Sequence, residues 1–259
     1  MKTCTGADVD YYAPRVWAKG VITGSCSRAL HSIRLVAPSV AGERDGQTET
    51  YINRCLNMNR PLFVALDGPK GTGKTTLLEA VTKVLRADSK KVIRLCEKKS
   101  DPYRGETMAL VNRLARDPCR DLELAVCERL ADSRAWMTRH VLTKQPPDCI
   151  ILIDRWYPSD AAFRRIVPFA EILQLNMDRN VQVPDLHVGV VTAPEMSWAR
   201  AAARSRGLGS TVMHALQEHV ASTKAFEQAA ADQGWLLCRN EGSIEDATMQ
   251  VVAGIYSVL

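Results

Sequence analysis

"LFVALDGPKGTGKTT", Leu62 to Thr76, is the stretch on which the fold turns. Five apolar residues and Asp67 lead into nine residues holding three glycines and two lysines, a density that side-chain packing does not explain. Gly68-x-x-x-x-Gly73-Lys74-Thr75 has the spacing of a loop that wraps phosphates between a strand and a helix. Glycines let backbone N–H groups turn inward, and the following helix adds the positive end of its dipole. On this reading Gly68, Pro69, Lys70, Gly71, Thr72, Gly73, Lys74, Thr75 and Thr76 bind the phosphates of a nucleoside triphosphate. Lys74 reaches the β- and γ-phosphates, and the Thr75 hydroxyl joins the shell of a Mg²⁺ ion. The bland alternative, a glycine-rich turn, lacks a reason for a strand on one side and a helix on the other.

Outward from this loop the chain alternates. Short runs apolar on both faces predict strands at Leu62–Asp67, Val92–Cys96, Cys149–Asp154, Leu186–Thr192 and Trp235–Cys238. Between them the pattern predicts helices at Thr75–Arg86, Asp121–Leu142 (opening on an aspartate cap), Ser159–Asn176, Pro194–Ser205 and Val212–Gln233. Ser243 and Asp246 predict the cap of a last helix. Strand and helix in alternation mean an α/β domain of three layers, with a central parallel five-stranded sheet flanked by helices, over residues 61–259. Residues 1–60 follow no sustained period. No acid occurs between Tyr11 and Gly42, and the segment reads as a loosely ordered N-terminal extension without an assigned role.

Composition narrows the function classes. A formal charge of +5 over 259 residues is mild, and no Lys/Arg block is long enough to predict a nucleic-acid partner. No stretch has the length of a membrane span, and the N-terminus lacks the apolar core of a secretory signal. The eight cysteines are scattered without metal-ligand spacing. They read as reduced thiols, which predicts a cytoplasmic protein.

A second station stands at "CIILIDRWYPSDAAFR", Cys149–Arg164. An apolar strand ends there in Asp154 and Arg155, and the C-terminal ends of parallel strands face the ligand crevice. The Asp154 carboxylate suits the Mg²⁺ shell, and the planar fork of Arg155 suits a second phosphate. An exposed ion pair closing an ordinary strand is the plainer reading.

Taken in order, these motifs resemble the thymidylate kinase branch of the nucleotide kinases, close to the deoxynucleoside kinases. The glycine loop is followed by a strand ending at Glu97, the helix "LELAVCERLADSR" (Leu122–Arg134), Asp154-Arg155-Trp156, "VPDLHVGV" (Val183–Val190) and "ARAAARSRG" (Ala199–Gly207). The resemblance implies a three-layer P-loop kinase fold, ATP and Mg²⁺ as cofactors, and phosphorylation of a pyrimidine nucleoside monophosphate, dTMP by default. It implies that Asp154 and Arg155 orient the acceptor phosphate. Arg129, preceded by Glu128, would read the base, Phe163 would lie against the nucleoside, and Glu97 would stand close to the acceptor. Arg200, Arg204 and Arg206 would close on the ATP phosphates. A small-molecule nucleotide or nucleoside is the implied partner, with a homodimer as the family's common assembly.

The chain also departs from that pattern. Lys70 stands where the family usually has an acid, and Ala125 where it often has an aromatic. The glycine pair after Glu97 is replaced by "KKSDPYRG", and "LGSTVM" (Leu208–Met213) carries no charge. Lys70 and the spacing of Arg200, Arg204 and Arg206 also match the deoxynucleoside kinases. There Glu97 would be the general base for a sugar 5′-hydroxyl. A nucleotide-binding module without catalysis is the remaining alternative.

Overall fold

The computed structural model describes residues 60–203 and 215–259. The N-terminal extension, Arg204 and Arg206 lie outside them.

Five strands form one sheet: β1 (Leu62–Asp67), β2 (Lys91–Cys96), β3 (Cys149–Asp154), β4 (Leu186–Val191) and β5 (Leu236–Arg239). Their order is β2-β3-β1-β4-β5 and every pairing is parallel. All five therefore end on the same edge. β1 and β3 are neighbours with Leu66 opposite Asp154, so the glycine loop and the Asp154-Arg155 turn emerge side by side. The fold class expected from the alternation is the one observed.

The sheet is covered on both faces because its strands are apolar on both. From β1, Val64 and Leu66 join Leu77, Val81 and Leu85 of α1 (Lys74–Ala87) and Val251 and Ile255 of α9 (Ile244–Val258) in one core. Phe63 and Ala65 point the other way, into a core with Ala135 and Met137 of α4 (Arg120–His140) and with Trp156. Burial of these side chains supplies roughly 1.5–3 kcal/mol each and holds the strand tips in register.

The remaining helices are α2 (Glu97–Ser100), α3 (Arg104–Arg116), α5 (Asp160–Phe163), α6 (Phe169–Asp178), α7 (Pro194–Ala202) and α8 (Leu216–Asp232). The helices depart from expectation in several places. The Leu122–Arg134 region lies in α4, which starts at Arg120 behind Cys119, with no side-chain cap from an aspartate. α2 and α3 occupy stretches for which the sequence predicted no element. The single helix expected over Ser159–Asn176 is two, α5 and α6, split at Arg164–Pro168. Two causes act at the split. Pro168 cannot continue a helix from its N-terminal side. Glu123 of α4, 2 % exposed, accepts the backbone N–H groups of Arg165, Ile166 and Val167 at 2.8, 2.6 and 2.7 Å. A helix through those residues would need the same amides. Ser243 caps α9 as predicted, its hydroxyl accepting the Asp246 N–H at 3.0 Å.

Candidate active site

The glycine loop takes its shape from its neighbours. Gly71 has φ of 85°, and a Cβ there would lie 1.9 Å from the carbonyl oxygen of Ser197 in α7. Gly73, at φ of 84°, would set a Cβ 2.3 Å from Nδ2 of Asn240. Only glycine takes both the left-handed backbone and the contact. Asn240 follows β5 and donates through Nδ2 to the Thr72 carbonyl at 2.8 Å, tying the loop to the far side of the sheet. α1 then begins with no side-chain cap on its N-terminus. First-turn amides have no partner within their own helix, and an anion is their natural acceptor.

Lys74 is buried at 6 % exposure, and its ammonium donates to Gly68 O at 2.9 Å, Pro69 O at 2.5 Å and Thr72 Oγ1 at 3.2 Å. Thr75 and Thr76 are exposed at the mouth of the loop, and Lys70 is half-buried beside it. From α7, exposed Arg200 donates to Asn240 O at 3.4 Å, which brings it to the loop's edge.

Arg155 follows β3 with φ of 73°. For a residue with a Cβ this left-handed conformation costs about 1–2 kcal/mol, so something must hold it. Its N–H donates to Leu66 O at 3.1 Å. Its Nη1 donates to Gly68 O at 3.0 Å and to Ser159 Oγ at 3.1 Å, and its guanidinium lies 4.8 Å from the ring centre of Phe163. Thus the Gly68 carbonyl receives both Lys74 and Arg155. The cation of the first strand's loop and the cation of the third strand's tip meet at one oxygen. Asp154 is half-exposed beside them.

Asp67 was not singled out by the sequence pattern. It is 1 % exposed, and its Oδ1 accepts the Trp156 N–H at 2.8 Å and the Ser159 hydroxyl at 2.6 Å. Its Oδ2 is buried without a hydrogen bond. Burial pushes its carboxyl up to about 7, against those two hydrogen bonds. The proximity of Glu97 acts in the same direction as burial, and Arg155 opposes it.

Glu97 closes the cluster from the tip of β2, 8 % exposed. Arg134 of α4, 1 % exposed, donates from Nε to Glu97 and from Nη1 to Asp160 Oδ2 at 2.7 Å and Asn176 Oδ1 at 3.4 Å. Asp160 also accepts from Arg164 Nε at 3.3 Å. Burial raises the Glu97 carboxyl, with Arg134 opposing. The Arg134 guanidinium is held above its ordinary value by Asp160 and Glu97, although burial alone would lower it.

Of the residues expected at the site, Lys74, Arg155 and the glycine loop are brought together, with Phe163 against Arg155. Arg129 stands apart from this network. Its guanidinium bonds Glu106 at 3.2 Å and Asp132 at 3.0 Å and lies 4.0 Å from the ring centre of Tyr103, and none of its hydrogen bonds goes to Glu97, Asp160 or Arg155. The arginine that α4 presents to them is Arg134. The line Cys127–Ala131–Arg134, spaced four and three apart, carried that signal in the sequence.

Among the described residues no group of three or more His, Cys, Asp and Glu is arranged to hold a metal. A Mg²⁺ ion in a phosphoryl-transfer site needs only one or two protein oxygens beside the substrate phosphates. The exposed Thr75 hydroxyl and the half-exposed Asp154 carboxylate are oxygen donors of that kind. Among the described residues no helix is long and apolar enough to cross a membrane.

Comparison with known proteins gives the chain a family. The sequence is 27 % identical over 161 residues to a thymidylate kinase of Leptospira interrogans, covering 59 % of this chain and 74 % of that protein. It is 30 % identical over 123 residues to the thymidylate kinase of Xanthomonas oryzae pv. oryzae, covering 44 % and 50 %. With that of Halalkalibacterium halodurans the identity is 26 % over 125 residues, covering 46 % and 58 %. The family model described as thymidylate kinase matches residues 66–251, from the last apolar positions of β1 into α9. The chain therefore belongs to the thymidylate kinase family of nucleoside monophosphate kinases.

Proposed function

We propose that this protein transfers the γ-phosphoryl group of ATP to the phosphate of dTMP, yielding dTDP and ADP. The observation that carries the reading is the Gly68 carbonyl, bonded by Lys74 from the donor side and Arg155 from the acceptor side. Phosphoryl transfer is mainly a matter of position and of neutralising spread negative charge, and two fixed cations at one point serve both needs.

The glycine loop binds the donor phosphates with its amides and the N-terminus of α1. Lys74 leaves its carbonyl partners for the β- and γ-phosphates, with a charge-assisted bond replacing neutral ones. Among the described residues the hydrogen bonds of the Arg155 side chain leave from Nη1. Nε and Nη2 are open to the acceptor phosphate. Thr75 and Asp154 would hold Mg²⁺, whose part there would be to neutralise phosphate charge. Arg200 reaches the donor phosphates from α7, with Arg204 and Arg206 assigned to the same task. Phe163 packs against the acceptor nucleoside and steadies Arg155. On the base side the geometry favours Arg134 in the place expected of Arg129, since Arg134 is the arginine bonded to Glu97 and Asp160.

Glu97 favours a second reading, in which a nucleoside is the acceptor. Its buried carboxyl with a raised pKa suits a general base for a sugar hydroxyl. Purified protein with ATP, Mg²⁺ and a panel of dTMP, dUMP, dCMP and the parent nucleosides separates the two. Turnover of dTMP with inert thymidine is expected. Turnover of nucleosides alone overturns the choice of acceptor.

A further inference from the structure

We infer that Asp67 is a positioning residue for the acceptor phosphate, acting through Ser159 and the Trp156 amide to hold Arg155 in its left-handed backbone and aim its fork; this rests on the role of Arg155 proposed above.

The chain of contacts is continuous. Asp67 Oδ1 takes the Ser159 hydroxyl proton at 2.6 Å. The Ser159 oxygen, its own proton committed, is left as an acceptor and takes Arg155 Nη1 at 3.1 Å. The same Oδ1 takes the N–H of Trp156, the residue directly after Arg155, at 2.8 Å. Two fastenings thus bracket Arg155. One sets the peptide that follows it, and the other sets the end of its side chain. The third, from Arg155 N–H to Leu66 O, comes from the residue before Asp67.

Asp67 is an expensive way to build a turn. A buried carboxylate oxygen without a hydrogen bond destabilises the fold, and native proteins hold few such groups. An asparagine or serine could accept the same two protons without a buried charge. A carboxylate makes the stronger acceptor and thereby a better-oriented Ser159, which is worth its cost where Arg155 must be aimed. The groups facing it fit that account. Arg155 is the cation it supports, Glu97 from the tip of β2 pushes its carboxyl further up, and Tyr157 from the turn after β3 is pushed up by burial and then by the Asp67 charge. Lys74 stands on the other side of the shared Gly68 carbonyl.

Partners that orient a functional group from behind typically contribute about 10- to 100-fold when removed. Ser159→Ala breaks the relay without touching β1 or the glycine loop, and Asp67→Ala removes both fastenings. In steady-state assays of the full chain each variant is expected to lose about 10- to 100-fold in kcat/KM for dTMP, with KM for ATP unchanged. Asp67→Asn, which keeps Oδ1 as an acceptor, is expected to recover part of that loss. A Ser159→Ala protein that matches wild type, or variants that change KM for ATP instead, overturns the inference. A second measurement is independent of the acceptor. The Arg155 Nε–H resonance, assigned by its disappearance in Arg155→Lys, is expected to move in Ser159→Ala. A wild-type protein inert toward dTMP defeats the functional reading alone, whereas an unmoved Arg155 resonance defeats the inference whatever the acceptor.

Discussion

Asp67 makes the fold's stability depend on pH. Its carboxyl, raised to about 7 chiefly by burial, holds its proton in the folded state after the unfolded chain has lost it. Between about pH 4 and about pH 7 the folded state therefore binds more protons, and stability falls as pH rises, by up to about 4 kcal/mol from this one group. Above that window the penalty is constant. Asp67→Asn removes it, so the variant should gain on wild type as pH rises from 4 to 7 in urea unfolding experiments. A gap between the two that does not change with pH contradicts this. Lys74 is the other residue with a clear expectation. Lys74→Ala should reduce transfer by at least about 10²-fold, the scale of a lost transition-state donor, while circular dichroism shows the fold retained.

At the scale of elements, α4 does more than cover the sheet. Near its start Glu123 accepts three consecutive amides of the segment that separates α5 from α6. Glu123→Gln replaces one accepting oxygen by a donor facing N–H groups, and should cost about 1–3 kcal/mol in urea unfolding. Further along, Arg134 joins α4 to Glu97 of α2 and Asp160 of α5. Arg134→Met leaves two carboxylates buried without their cation and should destabilise by about 3–5 kcal/mol at pH 7, less at pH 5, where the upward push of burial on the Glu97 carboxyl favours its neutral form. An equal loss at both pH values would show that the carboxylates do not depend on the arginine. The resemblance pointed to Arg129 on this helix through the Glu128-Arg129 pair. Five residues along a helix turn the face through well over a right angle, so Arg134 reaches the buried cluster while Arg129 meets Glu106 and Asp132.

Across the whole molecule, the parallel order β2-β3-β1-β4-β5 brings residues far apart in the chain to one edge. Lys74 and Arg155 meet there at the Gly68 carbonyl, and the proposed function gives each a different ligand, which mutation can separate. Each ligand raises the unfolding temperature by an amount that grows with the logarithm of its excess over Kd. Thermal unfolding should show ATP's stabilisation abolished in Lys74→Ala with that of dTMP kept, and the reverse in Arg155→Ala. Loss of both in either variant would mean a single anion site.

The sequence by itself determined the strand–loop–helix at Leu62–Ala87, the alternation that builds the sheet, and the acidic and basic pair at the end of β3. Each is encoded within a few neighbouring residues, by the φ freedom of glycine, by apolar periodicity and by strand-end chemistry. Only the tertiary structure decided that α4 offers Arg134 to the buried cluster, that Glu123 splits the helix expected over Ser159–Asn176, and that Asp67 reaches the turn behind Arg155. Those depend on the phase of a helix against a sheet and on hydrogen bonds between residues dozens of positions apart. No local pattern records such bonds, because only the packed core determines which side chains meet.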